Sequence, residues 1–572
     1  MNRYIIIGVT AVVVLVGILW FVLRKDLSGQ IVIPYIEHQK PRIDPQLPHA
    51  VDLSDKLDEV LFDGLFNISA NPSGVVYEDG LGELIDIDLE NNLVTVRLKP
   101  RKKWHSSYNV NVDDDDVTVT QTTDVFFTAQ DLRFTLRRIK ELGSLSPDYI
   151  LVSQALASWD FEGPDNNNEI RFHFKGDRIW TEDDVKEVLS FKIIPQNSPL
   201  EAENYYIGTG PYLATTRTGT ITHFFKNPSG LATIPHVKLK PFIDNSTFTT
   251  ELKNGNINVL LSTPFGSLSP ILEDTSDFFY KSNISTTFFA VLMNTQRLNL
   301  EQRIQLRRLL NNKAIINRFF KVNTPQQRHI VDYKGNKDNY YDYLNYSVFP
   351  SSSYYVDEEI VVPIKDNAQP DLSILPDSIK IVACLNYGHR EEYAELLEIL
   401  NDGQLFKNRI RAIAVSNEEI KKGNYDALLI AIDGYKSTFL FDLYNIFMRE
   451  PDLELYKINL KTQLDENGDK IISPETWNGR NNFCRLDATT GDEAVLKFMQ
   501  YIYAFMYSNY LGDKQVYAGL VADQEHELAL GAWLFSLPSL AYFRTQFDES
   551  SIDLYGVASQ LSTIEKWKER ED

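Results

Sequence analysis

The chain has 572 residues, 57 of them basic and 79 acidic, for a formal net charge of −22, and 43% of it is hydrophobic. Those proportions belong to a globular protein of several domain-sized units and exclude a disordered one. A polyanion of this kind is repelled by phosphate backbones, so no nucleic-acid partner is expected.

Residues Tyr4 to Leu23 form one uncharged apolar run, long enough for a membrane helix of roughly 20 residues. The run ends in Trp20 and Phe21 and then Arg24-Lys25-Asp26. It shows no small-residue cleavage pattern, and no cysteine follows it to carry a lipid. An uncleaved N-terminal membrane anchor over residues 1–26 is therefore expected, with one large body beyond it. Basic residues flank both ends, so the charges do not signal its orientation.

A linker with Pro34, Pro41, Pro45 and Pro48 leads to a helix opening at Ser54. Its apolar stripe is Leu57, Val60, Leu61 and Leu65, with Asp55, Asp58 and Glu59 in the opening turns, where the helix dipole favours acids. Leu93 to Leu98 alternates, Val94, Val96 and Leu98 on one face, which predicts a half-buried strand. The acidic stretch Val110 to Thr123, around Asp113 to Asp116, lacks the glycine and terminal glutamate of a calcium loop and reads as a solvated hairpin tip. Thr128 and Asp131 then make a capping-box-like start to a helix burying Leu132, Leu136 and Ile139.

Residues 380–433 carry the architecture. Ile381 to Leu385 reads as a strand, Glu391 to Leu400 as an amphipathic helix and Ile410 to Val415 as a second strand. Asn417 to Lys422 is a helical turn and Ala427 to Ile432 a third strand. Strands alternating with helices imply right-handed crossovers, parallel neighbours and an α/β fold. Ligands of such sheets collect beyond the carboxyl ends of strands. Asp433 stands at one such end, followed by Gly434 and Tyr435. An acid there either meets a ligand cation or caps the next turn, and position alone leaves both readings open.

The sequence has no phosphate loop, nucleophile elbow, zinc-binding helix or dinucleotide fingerprint. Glu525-His526-Glu527 points its side chains in different directions and is a poor chelate. No enzyme, metal or cofactor is supported. The two cysteines, Cys384 and Cys484, have no CxxC spacing. Either one disulfide or two free buried thiols fits them.

Several segments, in order from residue 44 to residue 428, resemble the solute-binding proteins of peptide ABC importers, the oligopeptide-, dipeptide- and nickel-binding family. Asp44-Pro45 followed by Leu61-Phe62-Asp63-Gly64-Leu65 resembles the family's "LDP … lyEGL". Val94 to Trp104, with Arg97-Leu98-Lys99-Pro100 and Lys102-Lys103-Trp104, is similar to its "tfkLRkgvkW". Phe127 to Leu132 resembles "pvTAeDv", and Gly208-Thr209-Gly210-Pro211-Tyr212 matches "GTGPY" as it stands. Gly255 to Val259 resembles "sGeiDv", and Leu292-Met293-Asn294-Thr295 before Ile304 to Ile316 resembles "lnt … vRqAlnyAid". Tyr425-Asp426-Ala427-Leu428 resembles the "yDl" that precedes the family's "gW..DYpDP".

The resemblance implies a two-lobed periplasmic-binding-protein-like α/β body behind the N-terminal transmembrane helix. Lobe I is expected from 27–60, 190–250 and 485–550, a small inserted domain from 61–189, and lobe II from 251–484, with 551–572 left as a charged C-terminal tail. In the family the ligand is enclosed as the lobes close, and an acid pairs with the free amine of an extended peptide. The ligand-binding candidates that follow are Asp433, Gly434, Tyr435, Asn294 and Trp104. Here "W..DYpDP" is replaced by Ile432-Asp433-Gly434-Tyr435-Lys436-Ser437. Ungapped alignment therefore puts Tyr435 at the amine-binding acid, and Asp433 serves if the strand ends two residues earlier.

The function implied is a binding protein that captures a peptide or similar small solute and delivers it to ABC transporter permease subunits. Its body would stand on the extracytoplasmic side of a bacterial inner membrane, held by the single helix. The alternative is an accessory or interaction protein that keeps this fold with a degenerate cleft, tethered beside a membrane complex.

Overall fold

A computed structural model of the chain describes residues 27–571 apart from 262–276, 321–342, 350–367, 433–445, 448–481 and shorter breaks of one to five residues. The expected anchor over 1–26 and the candidates Asp433, Gly434 and Tyr435 lie outside the described residues. Among the described residues, no helix is long and apolar enough to cross a membrane.

In chain order the elements are as follows. β1 (Gln30–Ile36) and α1 (Asp52–Leu61) precede β2 (Phe66–Asn71), β3 (Gly74–Asp79), β4 (Gly82–Asp88) and β5 (Leu93–Leu98). The hairpin β6 (Tyr108–Asp113) and β7 (Asp116–Gln121) leads to α2 (Ala129–Leu142), α3 (Tyr149–Ala155), β8 (Glu169–His173) and α4 (Glu182–Val188). Then come β9 (Tyr212–Arg217), β10 (Thr220–Lys226), β11 (His236–Phe242), α5 (Asn245–Lys253), β12 (Val259–Leu261) and the long β13 (Phe278–Met293). α6 (Leu300–Leu309) and α7 (Asn312–Phe320) precede β14 (Ile379–Ala383), α8 (Arg390–Leu400), β15 (Ile410–Ala414), α9 (Asn417–Lys421) and β16 (Ala427–Ile432). α10 (Glu493–Tyr507), α11 (Leu511–Leu528) and the long β17 (Gly531–Arg544) follow.

Two main sheets result. One runs β1-β11-β10-β9 and the other β12-β17-β13-β16-β14-β15. β14 pairs in parallel with both β15 and β16, as the alternation of strands and helices predicts. In the six-stranded sheet the strand period of two separates two cores. Phe288, Ala290 and Leu292 of β13 join a core with Phe498, Met499 and Ile502 of α10 and Val521 of α11. Phe289, Val291 and Met293 join another with α6, α7 and α8. Helices on both faces are what such a sheet requires.

β13 and β17 pair with each other in two stretches. Their Phe288–Leu292 and Gly531–Ser536 halves pair beside β16, while Phe278–Ile284 and Pro538–Arg544 pair beside β12. Between the halves the register shifts, with Ile284 opposite Pro538 and Phe288 opposite Ser536. Proline has no N–H for the ladder, so the pairing is weakest at this crossing. On the far side, the Asn258 amide accepts from Val32 N–H at 2.7 Å and donates to the Gln30 carbonyl at 2.6 Å, tying β12 to β1.

Leu93–Leu98 is the expected strand, with Val94, Val96 and Leu98 buried. Thr128 N–H donates to Asp131 Oδ2 at 2.7 Å, and Leu132, Leu136 and Ile139 face inward. The acidic stretch is the β6–β7 hairpin, with Asp113 opposite Asp116 at its tip. Among the described residues no three acidic, histidine or cysteine side chains group to hold a metal ion.

The segment 551–572, expected as a charged C-terminal tail, is packed: Ile552, Leu554, Leu561, Ile564 and the fully buried Trp567 belong to one core with Ile31, Phe224 and Val237. Glu569 Oε1 accepts from Gly29 N–H at 2.8 Å, closing the body across the chain. Lys566, Lys568 and Arg570 are exposed, and the apolar residues among them are buried. Within 485–550, α10 and α11 pack on the six-stranded sheet, while Ala541 and Phe543 contribute to the core around Ile31 and Trp567.

Candidate functional site

The site follows from the topology. The chain passes from β14 through α8 to β15, then through α9 back across β14 to β16, so the crossover direction reverses between β14 and β16. Ligands of open α/β sheets bind at such a switch point, beyond the carboxyl ends of its strands. β16 pairs with β14 at Ala427 and Leu428. Farther along, Ala431 N–H donates to the Tyr393 hydroxyl of α8 at 2.5 Å, so a side chain satisfies a group that a ladder would have used. Tyr393 is buried edge-on against Phe289, with ring centroids 5.5 Å apart.

The carboxyl end of β16 also lies beside the crossing of the two long strands. Ile432 is opposite Phe288 of β13, and Phe288 is opposite Ser536 of β17. Ser536 Oγ accepts from the Asn345 amide at 3.0 Å, both residues being buried. The carboxyl end of β16 is thus next to the place where the β13–β17 register shifts.

Asn294 and Trp104 are elsewhere. Asn294 follows Met293, which is opposite Ala427 at the other end of β16. Its amide donates to the carbonyls of Tyr425 at 2.9 Å and Gly423 at 3.2 Å, and its oxygen accepts from Gln296 N–H at 3.0 Å. Five residue steps of strand, about 17 Å, separate that end from Ile432. Trp104 is buried in the inserted domain, edge-on to Phe127. Asn294 is thus held at the opposite end of β16, whereas Trp104 belongs to the same buried apolar cluster as Phe288 and Ile432. Tyr393, Phe288, Ser536 and Asn345 are what sequence reasoning missed. Tyr393 had one signal, its place one turn ahead of Leu396 and Leu397 on the buried stripe of α8.

The matched motifs prove to be a scaffold. Gly208 and Gly210 lie against the end of α1, where a Cβ on Gly208 would meet the Leu61 carbonyl oxygen at 1.8 Å. Asp63 Oδ2 accepts from Thr209 Oγ1 at 2.9 Å and pairs with Lys102 at 3.3 Å. Burial pushes the Asp63 carboxyl up, but Lys102, Lys192 and the bonds from Thr209 and Asn67 outweigh it and hold it below the usual range. Asp426 accepts from Lys380 N–H at 2.8 Å and from Arg297 at 2.8 Å, joining β16 to β14. Cys384 and Cys484 are both free and buried, in different clusters, which settles the open question in favour of two thiols. Burial pushes the Cys484 thiol up, so it is not a reactive thiolate.

No protein-family model matches the sequence, and no curated protein matches it significantly. Solved structures do match in fold. NikZ from Campylobacter jejuni, in complex with Ni(L-His), is 16% identical with a TM-score of 0.62, over 95% of this chain and 100% of its own. The oligopeptide-binding protein AppA from Bacillus subtilis, in complex with a nonapeptide, is 14% identical with a TM-score of 0.62, over 96% of this chain and 100% of its own. The periplasmic binding protein DppA from Helicobacter pylori, in complex with the peptide STSA, is 14% identical with a TM-score of 0.62, over 95% and 99%. The chain therefore has the mixed α/β fold of these periplasmic binding proteins along nearly its whole length.

Proposed function

We propose that the chain is a solute-binding protein that encloses a peptide or similar small solute between its two bodies and presents it to an ABC permease. The observation that carries this reading is the switch point at the carboxyl ends of β14 and β16, set beside the β13–β17 crossing. A ligand bound there touches both bodies, so its binding energy draws them together. Asp433, directly after Ile432, is the acid for a ligand amine, with Gly434 and Tyr435 beside it. The apolar run Tyr4 to Leu23 tethers the body to the extracytoplasmic face of the cytoplasmic membrane.

Native mass spectrometry of the purified protein tests the proposal. Co-purifying masses that vanish on refolding and match short peptides are the expected result. A clean apo mass, unmoved by a peptide library, would overturn it. That outcome would favour the second reading, an accessory protein tethered beside a membrane complex with its cleft filled. One observation supports that alternative: a single buried apolar cluster takes in Leu65, Trp104 and Ile170 of the inserted domain as well as Phe288, Phe498 and Trp533 of the other body.

A further inference from the structure

In a chain of net charge −22, the segment Arg97 to Lys103 carries five cations in seven residues and no acid. With Glu83 it lines a groove of about 440 Å³, whose other walls are Arg97, Leu98, Lys99, Arg101 and Lys102. Arg97 pairs with Glu83 and Glu169, Lys102 with Asp63, and Lys103 with Asp124. Among the described residues neither Lys99 nor Arg101 has a carboxylate partner: Lys99 donates to the Asp79 carbonyl at 3.0 Å, and Arg101 is exposed. Lys103 pairs across an isolated bridge with Phe126, which is 38% exposed, so an aromatic ring stands beside the cations. Leu231 is 81% exposed, the most of any large apolar side chain among the described residues. Ser229, two residues before it, is hydrogen-bonded to the Tyr108 hydroxyl. Ser107, next to Tyr108, accepts from Val125 N–H at 2.8 Å, so the loops of Leu231 and Phe126 are fastened to each other.

These loops stand near the point where the chain enters the body. Gly29 packs on Pro235, its Cβ position 3.4 Å from Pro235 Cγ. Leu231 is four residues from Pro235, at most about 14 Å along the chain. On its other side, Gly29 N–H donates to Glu569. Four residues before Glu569, Glu565, whose carboxyl burial pushes up, feels the charges of Asp63 and Lys102. Leu23, where the apolar run ends, is six positions before Gly29, within about 22 Å of it by chain length. We propose that this end of the molecule rests on an anionic phospholipid surface, the groove taking headgroup phosphates while Phe126 and Leu231 enter the interfacial layer. The inference rests on the membrane-tether part of the proposed function and deepens it, because the body itself then touches the bilayer in one orientation. Charge selects the occupant. A chain with 79 acids is repelled by an anionic surface as a whole, whereas at this end cations and exposed apolar side chains both attract one.

The test places an environment-sensitive fluorophore on Leu231→Cys, or on Leu300→Cys of α6 as the exposed control, in the full chain. Cys384 and Cys484 are buried and stay unlabelled. The chain is mixed with vesicles of phosphatidylcholine alone or of equal parts phosphatidylcholine and phosphatidylglycerol, each doped with a headgroup-level spin-labelled lipid that quenches the probe. Flotation reports whether the chain is held by the vesicles. Quenching at Leu231 and not at Leu300, strong only with phosphatidylglycerol, is the expected result. Arg101→Gln should lower the ratio of docked to undocked body about fivefold, and Phe126→Ser should weaken the quenching as well. Equal quenching in both vesicle types, or in wild type and Arg101→Gln, would overturn the anionic surface as the occupant. So would a Leu231 probe that lipid leaves unquenched but that shifts to the blue as chain concentration rises, which would assign the face to a second copy. A chain that floats with the vesicles while its Leu231 probe stays unquenched loses the docking face and keeps the tether. A chain that floats with neither vesicle loses both. No solute enters the readout, so peptide binding stands or falls separately.

Discussion

His105 and Gly208 hold each other by bonds in opposite directions. His105 N–H donates to the Gly208 carbonyl at 2.9 Å, and Gly208 N–H donates to His105 Nδ1 at 3.1 Å. With Nδ1 accepting, the ring proton sits on Nε2 and donates to the Gly210 carbonyl at 3.0 Å. The ring is fully engaged as a neutral base, and burial lowers its pKa from 6.5 to about 4. Between those values the unfolded chain binds more protons than the folded one. Stability is therefore complete above pH 6.5 and falls as pH drops towards 4, by about 3 kcal/mol. Denaturant titrations at several pH values should show that slope in the wild type and lose it in His105→Gln.

Gly208→Ala places a methyl 1.8 Å from the Leu61 carbonyl oxygen, a backbone atom that cannot swing away. Destabilisation of more than about 3 kcal/mol is expected. Gly512, inside α11 with open space around its Cβ position, is the control. Gly512→Ala should stabilise by about 0.5 kcal/mol. Equal urea midpoints for the two variants would contradict the packing described here.

The segment before α1 is fastened to the inserted domain by a buried fork. Arg138 donates to Asp44 Oδ1 at 2.9 Å and Oδ2 at 2.8 Å, and its guanidinium lies 4.7 Å above the Tyr205 ring. Arg138→Met leaves Asp44 buried without its cation and should cost about 3–5 kcal/mol. Combined with Asp44→Leu, the loss should be smaller than in Arg138→Met alone. A thermodynamic cycle showing simple additivity would mean the fork carries no coupling.

Trp567→Ala removes an indole that is fully buried against Phe543, with ring centroids 5.1 Å apart. A loss of about 3–5 kcal/mol is expected in calorimetric unfolding. The neighbouring exposed Lys566→Ala should stay within about 0.5 kcal/mol of wild type.

Asp433→Ala should weaken binding of peptides with free amines by about 2–5 kcal/mol. Isothermal calorimetry with an N-acetylated peptide as control checks the assignment. Equal affinities of wild type and variant for the free-amine peptide would move the amine site to another acid.

Local patterning made much of the α/β frame legible. Leu93–Leu98 and Ala427–Ile432 are strands over the residues their composition indicates, and the strands around 379–414 fall within two residues of expectation. Alternation and apolar runs are properties of the chain itself and survive without knowledge of neighbours. Trp567 was hidden because the charges around it dominate any local average, although Ile564 and Trp567 stand one turn apart. Tyr393 and Ala431 meet through tertiary packing alone, and no periodicity announces such a meeting. Asn294 and Trp104 are both buried, and the Asn294 amide bonds the backbone just before β16.

The bond from Gly29 to Glu569 spans 540 positions. The strand at 30–36 is made first and finds neighbours at 236–242, but the residues that seal its body, through Phe543 and Trp567, arrive hundreds of residues later. A chain synthesised from the amino end must therefore carry an unsealed apolar surface through most of its elongation. That surface is a natural place for a chaperone to hold the nascent polypeptide. Rejoining the chain through a linker from Glu569 to Gly29, with new ends opened elsewhere, would shorten the wait and should speed acquisition of the native state.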